Sequence, residues 1–255
     1  MENNQNLPLW NKKTAVITGA SSGIGTRLAQ DLAQRGLNIV AAARRKDRLE
    51  TLKSQIEDAG GRCLAVQCDM RNDANIRSLF EQTERVFGGT DILINNAGLG
   101  FDAPLISGHS DAWRETMDVN VIGLSIATQI AIQSMIQNKT HGYIIHISSM
   151  AAHRVPSNSG MYAASKFAVR ALTESLRQEL WEEDLPIRVS AISPAYVETE
   201  FAEKYSGDEE KAKSIYNAYR VLQTEDIASA VHYLLSQPLD VQVHDILLRP
   251  RRQQN

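Results

Sequence analysis

The sequence predicts an α/β chain built on one doubly wound parallel sheet of about seven strands, with helices on both faces. Three observations carry that expectation. Short apolar runs alternate with amphipathic helical stretches roughly six times, joined by short polar segments, as successive βαβ units require. A glycine-rich turn, Gly19-Ala20-Ser21-Ser22-Gly23-Ile24-Gly25, stands between the first apolar run and the first helix. The polar motifs all fall where an apolar run ends, hence on one edge of such a sheet. No internal repeat, low-complexity tract or linker divides the 255 residues, so one domain is expected over 1–255, with 1–11 as a polar leader and 200–222 as a segment over a substrate.

Composition narrows the class. Hydrophobic residues make up 43% and charged residues 22%, the balance of an ordinary chain that folds in water. The net charge of −3 gives no electrostatic footprint for nucleic acid or an anionic membrane, and the tail Arg249, Arg251, Arg252 reads as solvated terminal charge. Cys63 and Cys68 flank Leu64-Ala65-Val66 and face opposite sides of a strand, which argues for reduced thiols in a cytosol-like compartment. The segment Met1 to Asn6 lacks the basic and apolar regions of a signal peptide. No uncharged apolar run approaches the ~20 residues that span a bilayer. A cytoplasmic protein is expected, with no membrane, nucleic-acid or metal partner.

The first run, Thr14 to Thr18, suits a buried parallel strand, and the helix after the glycine turn stops at Gly36. Strand, glycine turn and helix N-terminus make a phosphate site, because glycines admit the pyrophosphate and the free N–H groups favour its charge. A sheet of Rossmann type is expected, with a glycine turn kept only for packing as the alternative. The spacing is G-x-x-x-G-x-G, not G-x-G-x-x-G. The second strand, Asn38 to Ala42, ends in Ala43-Arg44-Arg45. An acid is expected near there for a ribose 2′-hydroxyl, and arginine for a 2′-phosphate. The acid is missing and Arg44 and Arg45 stand in its place, which favours NADP(H) over the alternative of a solvated helix start.

A helix over Lys46 to Ala59 ends at Gly60-Gly61, and a third strand over Cys63 to Gln67 leads to Cys68-Asp69-Met70. Asp69 is placed either to bind an adenine amine or to cap the next helix, Asp73 to Phe87. Strand four, Ile92 to Ile94, ends in Asn95-Asn96-Ala97-Gly98, which either lines a cofactor trough or simply turns. The long helical segment from Trp113 to Gln137 carries Asn120 in an apolar stretch, either as a satisfied packing residue or as a kink that positions a water.

Strand five, Tyr143 to Ile147, delivers Ser149, and a helix follows from Tyr162 to Leu180. Tyr162 and Lys166 are four residues apart, on one helix face. An ammonium beside a phenol favours the phenolate and lowers its pKa, which suits acid–base work. A strand-end hydroxyl, a tuned phenol and a lysine together suit proton exchange with a carbonyl or alcohol oxygen. Strand six, Arg188 to Ile192, leads through Ser193-Pro194-Ala195-Tyr196-Val197-Glu198-Thr199 into the polar stretch 200–222, a lid or an inert insertion. Thr224-Glu225-Asp226 opens a last helix, and Val243 to Leu248 is the final apolar run.

These residues resemble the short-chain dehydrogenase/reductases over essentially the whole chain. The motifs Thr18 to Gly25, Asn95-Asn96-Ala97-Gly98, Asn120, Ser149 and Tyr162-Ala163-Ala164-Ser165-Lys166 occur in that family's order and spacing. The resemblance implies a catalytic tetrad of Asn120, Ser149, Tyr162 and Lys166; Ser149 is chosen over Ser148 because it lies thirteen residues before the tyrosine. It implies that Gly19, Ser21, Ser22, Gly23, Ile24, Arg44, Arg45, Asp69, Met70, Asn96, Tyr162, Lys166, Val197 and Thr199 line an NADP(H) site. The implied activity is interconversion of a carbonyl and an alcohol by hydride transfer, with Tyr162 as acid or base and Asn120 holding a water. A non-catalytic NADP-binding sensor or scaffold is the alternative.

Within the family, Ser149 to Val155, Leu176 to Leu180 and Asp245 to Pro250 look like NADP-dependent ketosteroid reductases and farnesol dehydrogenases, with enzymes of 3-hydroxy acids next. Ala195 replaces a usual glycine, His146 replaces a common asparagine, and the glycine-rich ending of many members is absent. The family's habit implies a homodimer or homotetramer through Trp113 to Gln137 and Ser159 to Leu180.

Overall fold

Apolar runs of four to seven residues, bounded by polar turns, become strands covered on both faces. The computed structural model describes residues 7–253. In chain order the elements are β1 (Thr14–Thr18), α1 (Gly23–Gln34), β2 (Asn38–Ala43), α2 (Lys46–Asp58), β3 (Arg62–Gln67), α3 (Asp73–Phe87) and β4 (Ile92–Asn95). Then come α4 (Ser110–Met117), a π-helical turn (Asp118–Gly123), α5 (Leu124–Gln137), β5 (Tyr143–Ile147), α6 (Gly160–Glu182) and β6 (Arg188–Pro194). Last are α7 (Phe201–Ser206), α8 (Glu209–Ala218), α9 (Thr224–Ser236) and β7 (Asp245–Leu248).

The strands form one parallel seven-stranded sheet in the order β3-β2-β1-β4-β5-β6-β7. Strand alternation divides the core. Ala15 and Ile17 face Leu28 and Leu32 of α1, Leu49 of α2 and Val231 of α9. Val16 faces the other way, toward Ile76 and Leu79 of α3 and Ala127 and Met135 of α5. The chain runs outward from β1 to β2 and β3, then returns to β4 on the other side of β1. The loops after β1 and β4 therefore diverge and open a crevice at the sheet's carboxyl edge.

Several local choices bear on that crevice. Asn72, not Asp69, caps α3: its side chain accepts from the Asn75 N–H, and Gly88 closes the helix in the left-handed region. Asp69 is thus left at the crevice wall. The long helical segment begins at Ser110 rather than Trp113 and widens into a π turn at Asp118–Gly123, which holds Asn120. By length and composition this 28-residue segment could cross a membrane, yet half of its most apolar window is buried inside the fold. Residues 1–6 of the expected leader lie outside the described residues. Beyond them, Trp10 is buried and its indole N–H donates to the Leu235 carbonyl at 2.8 Å. After β6 the chain makes an excursion through α7 and α8 whose ends meet in a parallel bridge between Val197 and Leu222.

His146 on β5 has a clear account. Thr173 donates its hydroxyl to the Val169 carbonyl at 2.7 Å, so it can only accept from His146 Nδ1 at 2.9 Å. The other ring nitrogen then accepts from Thr128, which itself accepts from Asn95 Nδ2 at 2.9 Å. Burial, with Lys166 adding repulsion, pushes the imidazole down to about 3, so the ring is neutral and ties β4, α5, β5 and α6 together.

Cys63 and Cys68 are both free and buried, on opposite faces of the sheet. Burial pushes both thiols up to about 12. A thiol reagent at pH 8 should label neither in the native protein and both after denaturation, as absorbance titration will show. Unfolded thiols ionise near ~8.5 while the native ones stay protonated, so this pair makes the fold less stable as pH rises through that value.

Candidate active site

The crevice is a cleft of about 1790 Å³ along the carboxyl edge of the sheet. At one end lies the glycine loop after β1. Gly19 has φ +68°, and a Cβ there would stand 2.8 Å from Ala97 Cα; one on Gly25 would stand 2.5 Å from the Gly19 carbonyl oxygen. The loop folds this tightly because side chains are missing. Ser22 places no side-chain hydrogen bond on the start of α1, so the first turn keeps its N–H groups for the cleft it lines. Asn96 locks the arrangement: its amide donates to the Thr18 carbonyl at 2.9 Å, and Thr18 Oγ1 accepts from the Asn96 and Ala97 N–H groups. A bare helix N-terminus behind a loop that admits no Cβ at Gly19 or Gly25 fits a pyrophosphate.

Structure divides the two arginines after β2. Arg45 lies over the loop: Nη2 donates to Ser22 Oγ at 2.7 Å and to Ser21 Oγ at 3.0 Å, and Nε donates to Ser21 Oγ at 3.1 Å. Arg44 is more exposed and turns toward Glu115, 3.6 Å away. The Asp69 carboxylate is engaged by Arg71 Nε at 3.0 Å, a bond that holds it below the ordinary carboxylate range. Met70, Val197 and Thr199 line the same wall.

Across the cleft, Glu200 gathers the basic groups. Its Oε2 accepts from Arg45 Nη1 at 3.0 Å, its Oε1 accepts from Arg48 at 2.5 Å, and Lys204 pairs with it one turn later. Hydrogen bonds from Lys204 first, then Arg48 and Arg45, hold this carboxyl down at about 2. None of Arg48, Glu200 or Lys204 was singled out from sequence. Arg48 had a signal, since three residues after Arg45 it shares a helix face. Glu200 had none.

At the far end Tyr162, Ser149, Lys166 and Asn120 converge. Burial pushes the Tyr162 phenol up to about 12, with the neighbouring Ser149 hydroxyl pulling the other way. This corrects the expected lowering by Lys166. The ammonium lies 5.8 Å from the Tyr162 ring centroid, and its Nζ donates to the Ile147 carbonyl at 3.0 Å. Burial alone pushes Lys166 down to about 8. Spacing on a helix brought the two side chains together, but the strand-end carbonyl decides where the ammonium goes.

Asn120 sits in the π turn, 1% exposed. Its Oδ1 accepts from the Leu99 N–H at 2.9 Å, and its Nδ2 donates to the Leu99 carbonyl at 2.7 Å and to Ser165 Oγ at 3.0 Å. It clamps the loop after β4 against α6. Asn120→Ala should lower Tm by at least about 3 °C in a thermal melt, since each orphaned buried group costs about 1–3 kcal/mol. An unchanged Tm would show that the clamp is not holding the loop.

The stretch 200–222 covers Tyr162. Phe201 packs on its ring at 5.5 Å and Tyr205 edge-on at 5.8 Å. Tyr205 donates to the Asn158 carbonyl at 3.2 Å, and Tyr216 to the Thr199 carbonyl at 2.9 Å. Tyr196 and Tyr219 extend this aromatic wall. Arg251 and Arg252 are solvent-exposed, as a solvated tail would be, yet they stand on the cleft rim beside the buried Gln253.

A family model described as short chain dehydrogenase matches residues 13–210. The bovine dehydrogenase/reductase SDR family member 11 is 45% identical over 250 residues, covering 96% of this chain and 98% of that protein. A farnesol dehydrogenase of Aedes aegypti is 40% identical over 245 residues, covering 94% and 97%. Among solved structures, the closed form of serine dehydrogenase complexed with NADP+ superposes with a TM-score of 0.88 at 30% identity, covering 95% and 96% of the two chains.

Proposed function

The chain belongs to the short-chain dehydrogenase family, and from that premise we propose that it interconverts a ketone or aldehyde and an alcohol with NADP(H). One observation carries this reading: the Tyr162 phenol and the strand-end Ser149 hydroxyl open into the same cleft as a phosphate loop drawn tight at Gly19 and Gly25 and overlaid by Arg45. NADP(H), held along Gly19, Ser21 to Ile24, Arg45, Asp69, Met70, Val197 and Thr199, would supply or accept the hydride.

The chain's own side chains do the rest. Ser149 donates to the substrate oxygen and fixes it beside the phenol. Tyr162, protonated at neutral pH, gives its proton to that oxygen in reduction and takes it back in oxidation. Lys166 stabilises the negative charge that grows on the phenol as the proton leaves. Asn120 holds Leu99 and Ser165 and so fixes the floor under Lys166. Phe201 and Tyr205 exclude water from the phenol. The aromatic wall of Tyr196, Phe201, Tyr205 and Tyr219 favours long-chain or cyclic carbonyls over 3-hydroxy acids.

A panel of carbonyls and alcohols followed by NADPH absorbance tests this. Turnover is expected with bulky apolar ketones or aldehydes. Tight NADPH binding with no turnover on any member would favour the sensor or scaffold instead. We also place a homodimer or homotetramer contact on the helices around Ile122, Ile136, Phe167 and Trp181, large apolar side chains exposed to solvent in the monomer. Sedimentation should give a multimer of 28.3 kDa, and Trp181→Glu should shift it toward monomer.

A further inference from the structure

We infer that Glu200 determines cofactor specificity from the lid side, acting as a built-in surrogate for the 2′-phosphate and as the acceptor for an unphosphorylated ribose. This rests on the dinucleotide reading above. The strand β2 ends without the acid that would accept a ribose 2′-hydroxyl, and carries Arg44-Arg45 in its place. Glu200 brings a carboxylate to that spot from across the cleft, 155 residues later in sequence. Its oxygens take Arg45 Nη1 and Arg48 Nη1, while the remaining edge of Arg45 is spread over Ser21 and Ser22. Two guanidiniums and an ammonium around one anionic group, with two serine hydroxyls along the far edge of Arg45, are the donor set of a phosphate.

Charge sets the order of preference. Three cations, Arg45, Arg48 and Lys204, face one carboxylate. A phosphate monoester carries about −1.5 to −2 at pH 7, so it matches the cluster better than a carboxylate and displaces it. A cofactor lacking that phosphate leaves Glu200 in place to accept the ribose hydroxyl. Both cofactors are accommodated, and Glu200 sets their ratio by weakening the phosphorylated one and supporting the other.

The same displacement reaches the substrate. Glu200 is the N-cap of α7, and the next residue, Phe201, packs on Tyr162. Moving its carboxylate off Arg45 and Arg48 frees the start of the helix that covers the phenol. Occupancy by a 2′-phosphate is therefore felt at the reacting end of the cleft.

Isothermal titration of NADPH and NADH into the full-length protein and its Glu200→Gln variant tests the specificity claim. The variant keeps the side chain's size but removes its charge. The ratio of NADH to NADPH dissociation constants should rise by about 10-fold or more. A ratio within twofold of wild type, with both nucleotides bound, would overturn the surrogate while leaving the dehydrogenase reading standing. Binding of neither nucleotide to wild type would remove that reading and the surrogate with it. Amide hydrogen exchange across 201–206 tests the coupling. Adenosine 2′,5′-bisphosphate should speed it in wild type but not in the variant, and adenosine 5′-monophosphate in neither. Equal exchange with both fragments in wild type would sever the lid from the phosphate.

Discussion

Tyr162→Phe should lower kcat for carbonyl reduction by about 10²- to 10⁴-fold, the contribution of a positioned proton donor, while NADPH binds within about twofold of wild type. The ring itself is a packing element between Phe201 and Tyr205, and phenylalanine keeps that shape. What is lost is the hydroxyl that stands beside Ser149. Single-turnover measurement with saturating NADPH isolates the chemical step, and turnover that survives undiminished would strip Tyr162 of its role. The pH profile supplies a second arm. Lys166 titrates at about 8 in the free protein, so its charge is present below that pH and lost above it. The kcat/KM for reduction, which reports the free enzyme, should be flat below about pH 8 and fall as pH rises through it.

Arg45→Asp should invert the cofactor preference, changing the ratio of NADPH to NADH kcat/KM by about 10²-fold or more, because charge-assisted bonds to a phosphate are among the stronger ones. The substitution removes the guanidinium that spans Ser21 and Ser22 and puts a carboxylate beside Glu200. Arg44→Asp should shift the ratio far less, because that side chain turns toward Glu115. Steady-state kinetics with both cofactors checks the pair. Equal effects from the two variants would contradict the division of labour seen after β2.

Much of the architecture is legible in the sequence because its signals are local. The strands β1 and β5 and the helix α3 end where apolar runs and turn residues say they should. The glycine loop is legible because only glycine permits its close approach. The rest depends on what comes from far away. Nothing in the run around Asn120 distinguishes a π turn from an ordinary helix, since the widening follows from where its amide must reach Leu99. The i, i+4 spacing of Tyr162 and Lys166 gives proximity of their Cβ atoms but not the direction of Nζ, which the Ile147 carbonyl captures. Burial then moves the phenol up rather than down. Glu200 reads as one acid in a polar stretch, and only folding shows that it meets Arg45 and Arg48. His146, unexplained in the sequence, becomes intelligible once Thr128 and Thr173 are seen on either side of its ring.

The bridge between Val197 and Leu222 makes the covering segment a cassette. Leu222 donates its N–H to Tyr196 and accepts from Glu198, so both ends of the excursion are stapled at one place on the sheet's edge, independent of what lies between. Closing a loop of different length across a preformed stem changes the entropy only slowly, by about 0.6 kcal/mol per doubling. Transplanting residues 201–221 from a relative with another substrate, with Lys204 kept, should therefore exchange selectivity while both apolar layers, and the nucleotide half of the protein, stay as they are.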